Sequence, residues 1–334
     1  MMNKHVKSPC CSAPVRRYGK RRRQCIQCKK TWSIRQKKRG RKLIRPAPVL
    51  LRNILEGKDT STNSARRRKM RPSTVQKRIS QTIYIFLQKT NFGSFPQGKV
   101  ILLIDGLWIN FKREGRYTLY LMAIRGIDDK TAYFLDPVLL PDHESLTNWE
   151  TAIATIPDNV EKRICAMISD GLRGVKSIAE NRKWHFQRCH FHLLASFQKK
   201  HSQWFRRGKS RWLRDAIIAY VRKLIETTSR KQTKEFSKEL LSLINHSDCP
   251  KYIQMRVREF LRTMNDFKTY LNYPELNLPV TTNTVETMIR LLRNLLKHIH
   301  GARTPHSFLC WTKTYIRQKK TIACNGKKST ELIP

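Results

Sequence analysis

Two aspartates and four cysteines are the residues of this chain whose types and spacing point to chemistry. Asp105 and Asp170 share one context: an apolar run, VILLID or ICAMISD, ends in the Asp and is followed by Gly. Such a run reads as a central strand buried on both faces, and in open α/β sheets sites form at the carboxyl ends of strands. Two strand-end carboxylates side by side suit a magnesium or manganese ion, a hard cation that takes oxygen ligands and keeps several waters. Each Asp-Gly taken alone is also an ordinary turn. Near the N-terminus, Cys25 and Cys28 in CIQC have the two-residue gap that lets both thiolates reach one tetrahedral zinc. Cys10 and Cys11 stand upstream, and Ser8 occupies the place where a second C-x-x-C pair ending at Cys11 would have its first cysteine. Either Cys10 or His5 then supplies the fourth ligand.

Charge makes the acids conspicuous. Against 68 Lys and Arg there are 24 Asp and Glu, a formal net charge of +44. A chain this basic attracts polyanions, so nucleic acid is the expected partner; a merely solubilising surface has mixed signs and a modest net charge. Phosphate contacts would dominate and weaken steeply with salt. A carboxylate beside nucleic acid is repelled by phosphate unless a cation lies between them. Nine cysteines, an odd number without a regular framework, point to a reducing compartment and to metal or thiol roles. No apolar run approaches the length of a membrane span and the N-terminus lacks the apolar region of a signal peptide, so a soluble cytoplasmic protein, associated with the nucleoid, is expected.

The elements that must position these residues follow from periodicity. Residues 1–45 read as a zinc ribbon. Residues 46–95 read as a helical DNA-binding module: Leu50, Leu51, Ile54 and Leu55 trace one helix ended by Gly57, and polar DTSTNS follows. Val75, Ile79, Ile83 and Leu87 trace a second helix, N-capped by Ser73 or Thr74. A helix-turn-helix would set that second helix in the major groove, with Lys77 and Arg78 as DNA contacts. From residue 96 to the end the pattern is α/β: VILLID, TLYLMAIRG and KTAYFLDPVLL as a three-strand meander, then an amphipathic helix with Leu146, Trp149 and Ile153 on one face. A fourth strand, RICAMIS, follows, the order of a ribonuclease H-like layer. An all-helical insertion at about 200–275 carries Trp204, Phe205, Trp212, Ile217, Ile218, Val221, Leu224 and Ile225 as its apolar set. A last helix, TTNTVETMIRLLRNLLKHI, starts at a Thr-Asn N-cap.

LLIDG around Asp105, ISDG around Asp170, FQRCHFHLL around Cys189 and His192, TTNTVETMIRLLRN around Glu286 and HIHGARTPHSF just beyond it occur in that order. Together these motifs resemble the DDE transposases of the Mutator-like group, which includes bacterial insertion-sequence transposases. The resemblance covers the chain from Val100 onward and, more loosely, the ribbon and helix-turn-helix before it. It implies that Asp105, Asp170 and Glu286 hold two catalytic magnesium ions. Water then frees a 3′-hydroxyl that joins target DNA by in-line transesterification, with no covalent protein–DNA intermediate. Cys189 and His192 match a C-x-x-H motif that lies beside the active site; thiolate and imidazole are poor partners for hard magnesium, which gives the pair a positioning role. Arg290 and Arg293 lie at i+4 and i+7 from Glu286, where they face the scissile phosphates or steady the glutamate, and His298, His300 and Arg303 continue a basic stretch. The implied partners are element-end and target double-stranded DNA and further copies of the same chain.

A catalytically silent DNA-binding regulator derived from a transposase is the alternative, since the ribbon and helix-turn-helix would suffice for it. Intact Asp105, Asp170 and Glu286 speak against it. A junction-selective nuclease would not need a separate end-binding helix-turn-helix, and a ribosome-associated zinc protein would not need strand-end acids.

Overall fold

The computed structural model describes residues 7–19, 22–33, 45–90, 95–198, 211–299 and 302–324. His5, Trp204, Phe205 and His300 lie outside the described residues. The chain forms two units, Met1–Arg45 and Pro46–Pro334.

In the first unit, β1 (Val15–Arg17), β2 (Arg22–Cys25) and β3 (Thr31–Ser33) form an antiparallel sheet in that order. Little apolar surface is available here: Val15 and Cys25 are its buried apolar side chains among the described residues. A sheet this small needs a staple beyond its core.

The second unit is built on a mixed sheet. Strand β4 (Val100–Phe111) pairs antiparallel with β5 (Gly115–Gly126), which pairs antiparallel with β6 (Thr131–Phe134) and, at its other end, with β7 (Val138–Pro141). On the opposite side of β4, β8 (Ile164–Ser169) and β9 (His185–Arg188) run parallel to it; β10 (Thr321–Ala323) closes the far edge against β6. The order is β10-β6-β5-β4-β8-β9, with β7 beside β5.

Both faces of β4 are covered, which is why its sequence is continuously apolar. Ile101, Leu103 and Leu107 face one core, shared with α1 (Pro48–Leu55), α2 (Ser61–Arg67) and α3 (Pro72–Lys89). Two C-terminal helices, Asn283–His298 and Pro305–Lys319, belong to the same core. Val100, Leu102 and Ile104 face the other core, formed with α4 (Leu146–Ile153), α5 (Asp158–Glu161) and α6 (Val175–Asn181). A third core is wholly helical. Leu193, Leu194 and Phe197 of α7 (His190–Gln198) pack there with α8 (Arg211–Glu226), α9 (Arg230–Ile244) and α10 (Lys251–Thr263). After a short α11 (Thr269–Asn272), α12 (Asn283–His298) and α13 (Pro305–Lys319) return to the sheet.

Several local expectations change. Asp105 does not end its strand: β4 continues through Asp105-Gly106 to Phe111, because β5 pairs with it along its whole length. Only the parallel pairing to β8 stops, at Leu103 opposite Ile168. Helix α3 begins at Pro72 after Arg71, not after Ser73 or Thr74, since proline at the first position lacks only an N–H that would be unbonded anyway. DTSTNS is the cap and first turn of α2: Thr60 Oγ1 accepts from Asn63 N–H at 3.1 Å, and buried Asp59 accepts from the Ser64 hydroxyl and Arg67. Leu146 is exposed, and Trp212 is 52% exposed rather than part of the helical core. Strands β9 and β10 were not legible as strands, being short and edge-placed. Among the described residues no helix is long and apolar enough to cross a membrane.

Candidate functional site

The parallel register of β4 and β8 pairs Ile101 with Ala166, Leu102 with Met167 and Leu103 with Ile168. The pairing stops there; the same offset carried two residues further would bring Asp105 level with Asp170. By strand alternation Asp105 shares a face with Ile101 and Leu103, the face on which α12 packs. It is 6% exposed; its Oδ1 accepts from the Gly106 N–H at 2.8 Å, and its buried Oδ2 has no hydrogen-bond partner. Burial pushes the Asp105 carboxyl well above the usual carboxylate range; His192 opposes this, and the charges of Glu286 and Asp170 add to it.

Glu286 stands in the first turn of α12, where the helix dipole favours an anion. Thr282, the N-cap, does not cap with its side chain. Instead its N–H and hydroxyl donate to Cys189 Sγ at 3.3 and 3.4 Å, and the His190 N–H donates to the Val280 carbonyl at 2.9 Å. The C-x-x-H segment is thereby tied to the start of α12. One turn on, His192 Nε2 lies 2.8 Å from Glu286 Oε1 and 3.9 Å from Asp105 Oδ2. Burial alone would lower the His192 pKa; hydrogen bonds with Cys189 and Glu286 and the Asp105 charge outweigh it and push it up to about 11. His190, by contrast, is buried and held down to about 4, with Nε2 donating to the Phe267 carbonyl at 2.7 Å. It supports the fold.

Asp105, His192 and Glu286 therefore form the group whose ligand atoms lie within 4.8 Å of one another, and Asp170 is outside it. Asp170 instead follows β8 and lines a cavity of about 740 Å³ together with Arg173, Arg188 and His192. Its Oδ1 accepts from the Leu172 N–H at 3.1 Å. A hard divalent cation fits the acids of this set: they offer oxygen, and a buried Asp105 oxygen has no hydrogen-bond partner.

Two neighbours, Glu144 and Arg188, escaped the sequence reading. Glu144, just ahead of α4, accepts from Trp149 Nε1 at 2.6 Å, and burial, with the Asp170 charge, pushes its carboxyl up to about 7. Gly106 leaves room for that carboxylate: a Cβ on it would meet the Glu144 Cδ and Oε2 at 2.9 Å. Arg188, at the end of β9, lies across Gly171, where a Cβ would meet its guanidinium, and over the Phe267 ring at 4.7 Å. The scarcity of acids was the one signal that could have singled out Glu144. Arg290 and Arg293 are exposed and line, with Glu286, a second cavity of about 600 Å³. Lys77 is exposed on α3 and Arg78 half-buried.

In the first unit, the thiols of Cys10, Cys11, Cys25 and Cys28 lie within 4.8 Å of one another, so Cys10 is placed to be the fourth ligand of a cluster that could hold zinc. Cys10 and Cys28 sulfurs are 3.2 Å apart. Ser8 is buried and its hydroxyl accepts from the Cys11 N–H at 3.4 Å. A hydrogen bond from Ser8, with others from Cys28, holds Cys25 down to about 6, whereas Cys11 is pushed up to about 12, mainly by Cys28.

No model of a known protein family matches the chain, and no curated protein matches it.

Proposed function

We propose that the protein is a metal-dependent DNA transposase of the DDE type, with Asp105, Asp170 and Glu286 as its acidic site and His192 as their positioning partner. One observation carries this reading: Asp105 and Glu286, far apart in sequence, converge on His192, and a buried Asp105 oxygen has no hydrogen-bond partner. The sheet supports it. An antiparallel meander of β4, β5 and β6 with β8 and β9 parallel on the other side of β4 agrees with the order expected of a ribonuclease H-like layer, with helices intervening before the glutamate.

When bound, divalent cations polarise the scissile phosphate and activate the attacking oxygen. The chain's own residues do the rest. Asp105 and Glu286 would hold the cations and Asp170 would complete the set from just beyond β8. His192 donates to Glu286 Oε1 and so fixes its rotamer; Cys189 anchors the N-terminus of α12 through Thr282. Arg290 and Arg293 are exposed next to Glu286, suited to neighbouring phosphates. Lys77 and Arg78 of α3 would contact element-end duplex, and the four cysteines would hold structural zinc. Partners on this reading are double-stranded DNA and further copies of the chain, in a bacterial cytoplasm.

The test is direct. Purified protein with Mg2+ or Mn2+ and duplexes taken from the DNA flanking its gene cleaves and joins strands, and Asp105→Asn, Asp170→Asn and Glu286→Gln each abolish this. Robust activity in one of them removes that residue from the site.

A further inference from the structure

Helices α2 and α3 are joined by four residues, Arg68-Lys69-Met70-Arg71, the length of the turn in a helix-turn-helix. The turn closes on its own backbone. With Lys69 left-handed at φ 49°, the Lys69 and Met70 N–H groups donate to the Arg66 and Ala65 carbonyls at 3.1 and 2.9 Å. Helix α3 then buries Val75, Ile79, Thr82 and Ile83, and its apolar members join the core shared with β4. Its opposite side faces solvent: Ser73, Gln76, Lys77, Ser80, Gln81 and Tyr84 are all exposed and, at spacings of three and four, lie together.

A helix face that is merely solvated is ordinarily laced with acids and bases in i,i+4 pairs. This one has no acid and a single base, Lys77; the others are Ser, Gln and Tyr, neutral groups that both donate and accept. From Ala65 to Thr90 there are eight Lys and Arg and no Asp or Glu. Arg67 is held by Asp59, whereas Arg66, Arg68, Lys69 and Arg71 are exposed and have no ion pair among the described residues. Positive charge therefore brackets the start of α3, and hydrogen-bonding groups of both senses line its face. That is the division between groups that hold phosphates and groups that read base edges.

We propose that the exposed face of α3 reads duplex DNA sequence in the major groove. Gln76 and Gln81 each take an adenine through its N6 and N7 atoms, and Arg66, Arg68, Lys69 and Arg71 hold the flanking phosphates. From Gln76 to Gln81 the helix rises about 7.5 Å, which sets the two adenines about two base pairs apart. This rests on the duplex-DNA partner proposed above and not on the acidic site: a chain that binds DNA without cutting it would use the same face.

The test is selection from a pool of duplexes with a randomised centre, using the full chain with its zinc unit loaded, and sequencing of the bound DNA. Wild type is expected to enrich a motif with two adenines at that spacing. Gln76→Ala and Gln81→Ala should each relax one of them, cutting discrimination there by about 5- to 150-fold. Neither should shift the melting temperature, since both side chains are exposed. Arg68→Ala or Arg71→Ala should instead weaken all sequences alike, lowering the slope of log affinity against log salt by about 1 and leaving the motif intact. A wild-type chain with no affinity for any duplex would sink the DNA partner and this inference together. Binding without a motif, or a motif that both glutamine variants keep, would strike α3 as the reader and leave the DNA partner standing.

Discussion

The two ligand clusters of this protein are assembled in opposite ways. Cys10, Cys11, Cys25 and Cys28 come from two turns of one short antiparallel sheet whose core is hardly more than Val15 and Cys25. Asp105, His192 and Glu286 come from a central strand, a helix start and the first turn of another helix, each held by an extensive core before any ligand arrives. On the proposed reading, the first cluster would need an ion to be a fold, and the second would have its fold before an ion arrives. Loss of metal should therefore unfold one region and leave the other standing.

The largest expected effect tests that contrast. Chelation of zinc, or Cys28→Ser, should abolish the ordered β1–β3 sheet, since structural zinc in such small folds contributes about 10–16 kcal/mol of apparent binding free energy at neutral pH. Metal analysis and NMR dispersion of the first unit read it; a zinc-free first unit that stays folded would end the contrast. Removing Mg2+, by comparison, should leave the melting of the second unit nearly unchanged.

Next in size, Asp105→Asn or Glu286→Gln should lower strand cleavage by more than the roughly 100-fold that loss of an outer-shell partner costs, with little change in duplex binding. His192→Gln should fall between wild type and these variants, within roughly 10–100-fold, because it loses the donor that fixes Glu286 but no carboxylate. Equal losses for His192→Gln and Glu286→Gln in single-turnover assays would make the histidine a ligand and not a positioning residue.

A smaller effect concerns folding alone. His190 is buried and its pKa is depressed to about 4 in the folded chain. Its contribution is therefore present above its unfolded pKa, near 6.5, and is lost as pH falls through that value toward 4. Melting of the metal-free second unit should drop over this window, and His190→Gln should flatten the slope while costing about 1–3 kcal/mol by disturbing the buried donor on the Phe267 carbonyl. A slope that survives the substitution would assign it to other groups.

The smallest effects belong to the helices that would touch duplex. Lys77→Ala, Arg290→Ala or Arg293→Ala should each reduce the slope of log affinity against log salt by about 1, without altering cleavage chemistry in the Lys77 case. An unchanged slope removes that residue from the interface.

The difference between the clusters also explains how much of each could be read in advance. CIQC and its upstream cysteines were legible because ligands close in sequence impose their own spacing; only the choice between Cys10 and His5 was open. VILLID and ICAMIS were legible as buried strands because burial on both faces requires unbroken apolar character. What periodicity could not show is that β4 runs on through Asp105, since the Asp-Gly step resembles a turn and only pairing with β5 overrides it. Glu144 was invisible for a similar reason: its place under Gly106 is set by the packing of Trp149 across the sheet.

Composition, spacing and apolar periodicity by themselves determined the basic character of the chain, the cysteine cluster, the central strands and the two aspartates. These are properties of local sequence, where a few neighbouring residues meet one physical demand. Only the tertiary structure decided that His192 stands between Asp105 and Glu286 and that Asp170 lies outside their cluster. Those placements depend on strand register and on Cys189 anchoring the start of α12, contacts between residues so distant in the chain that no local pattern encodes them.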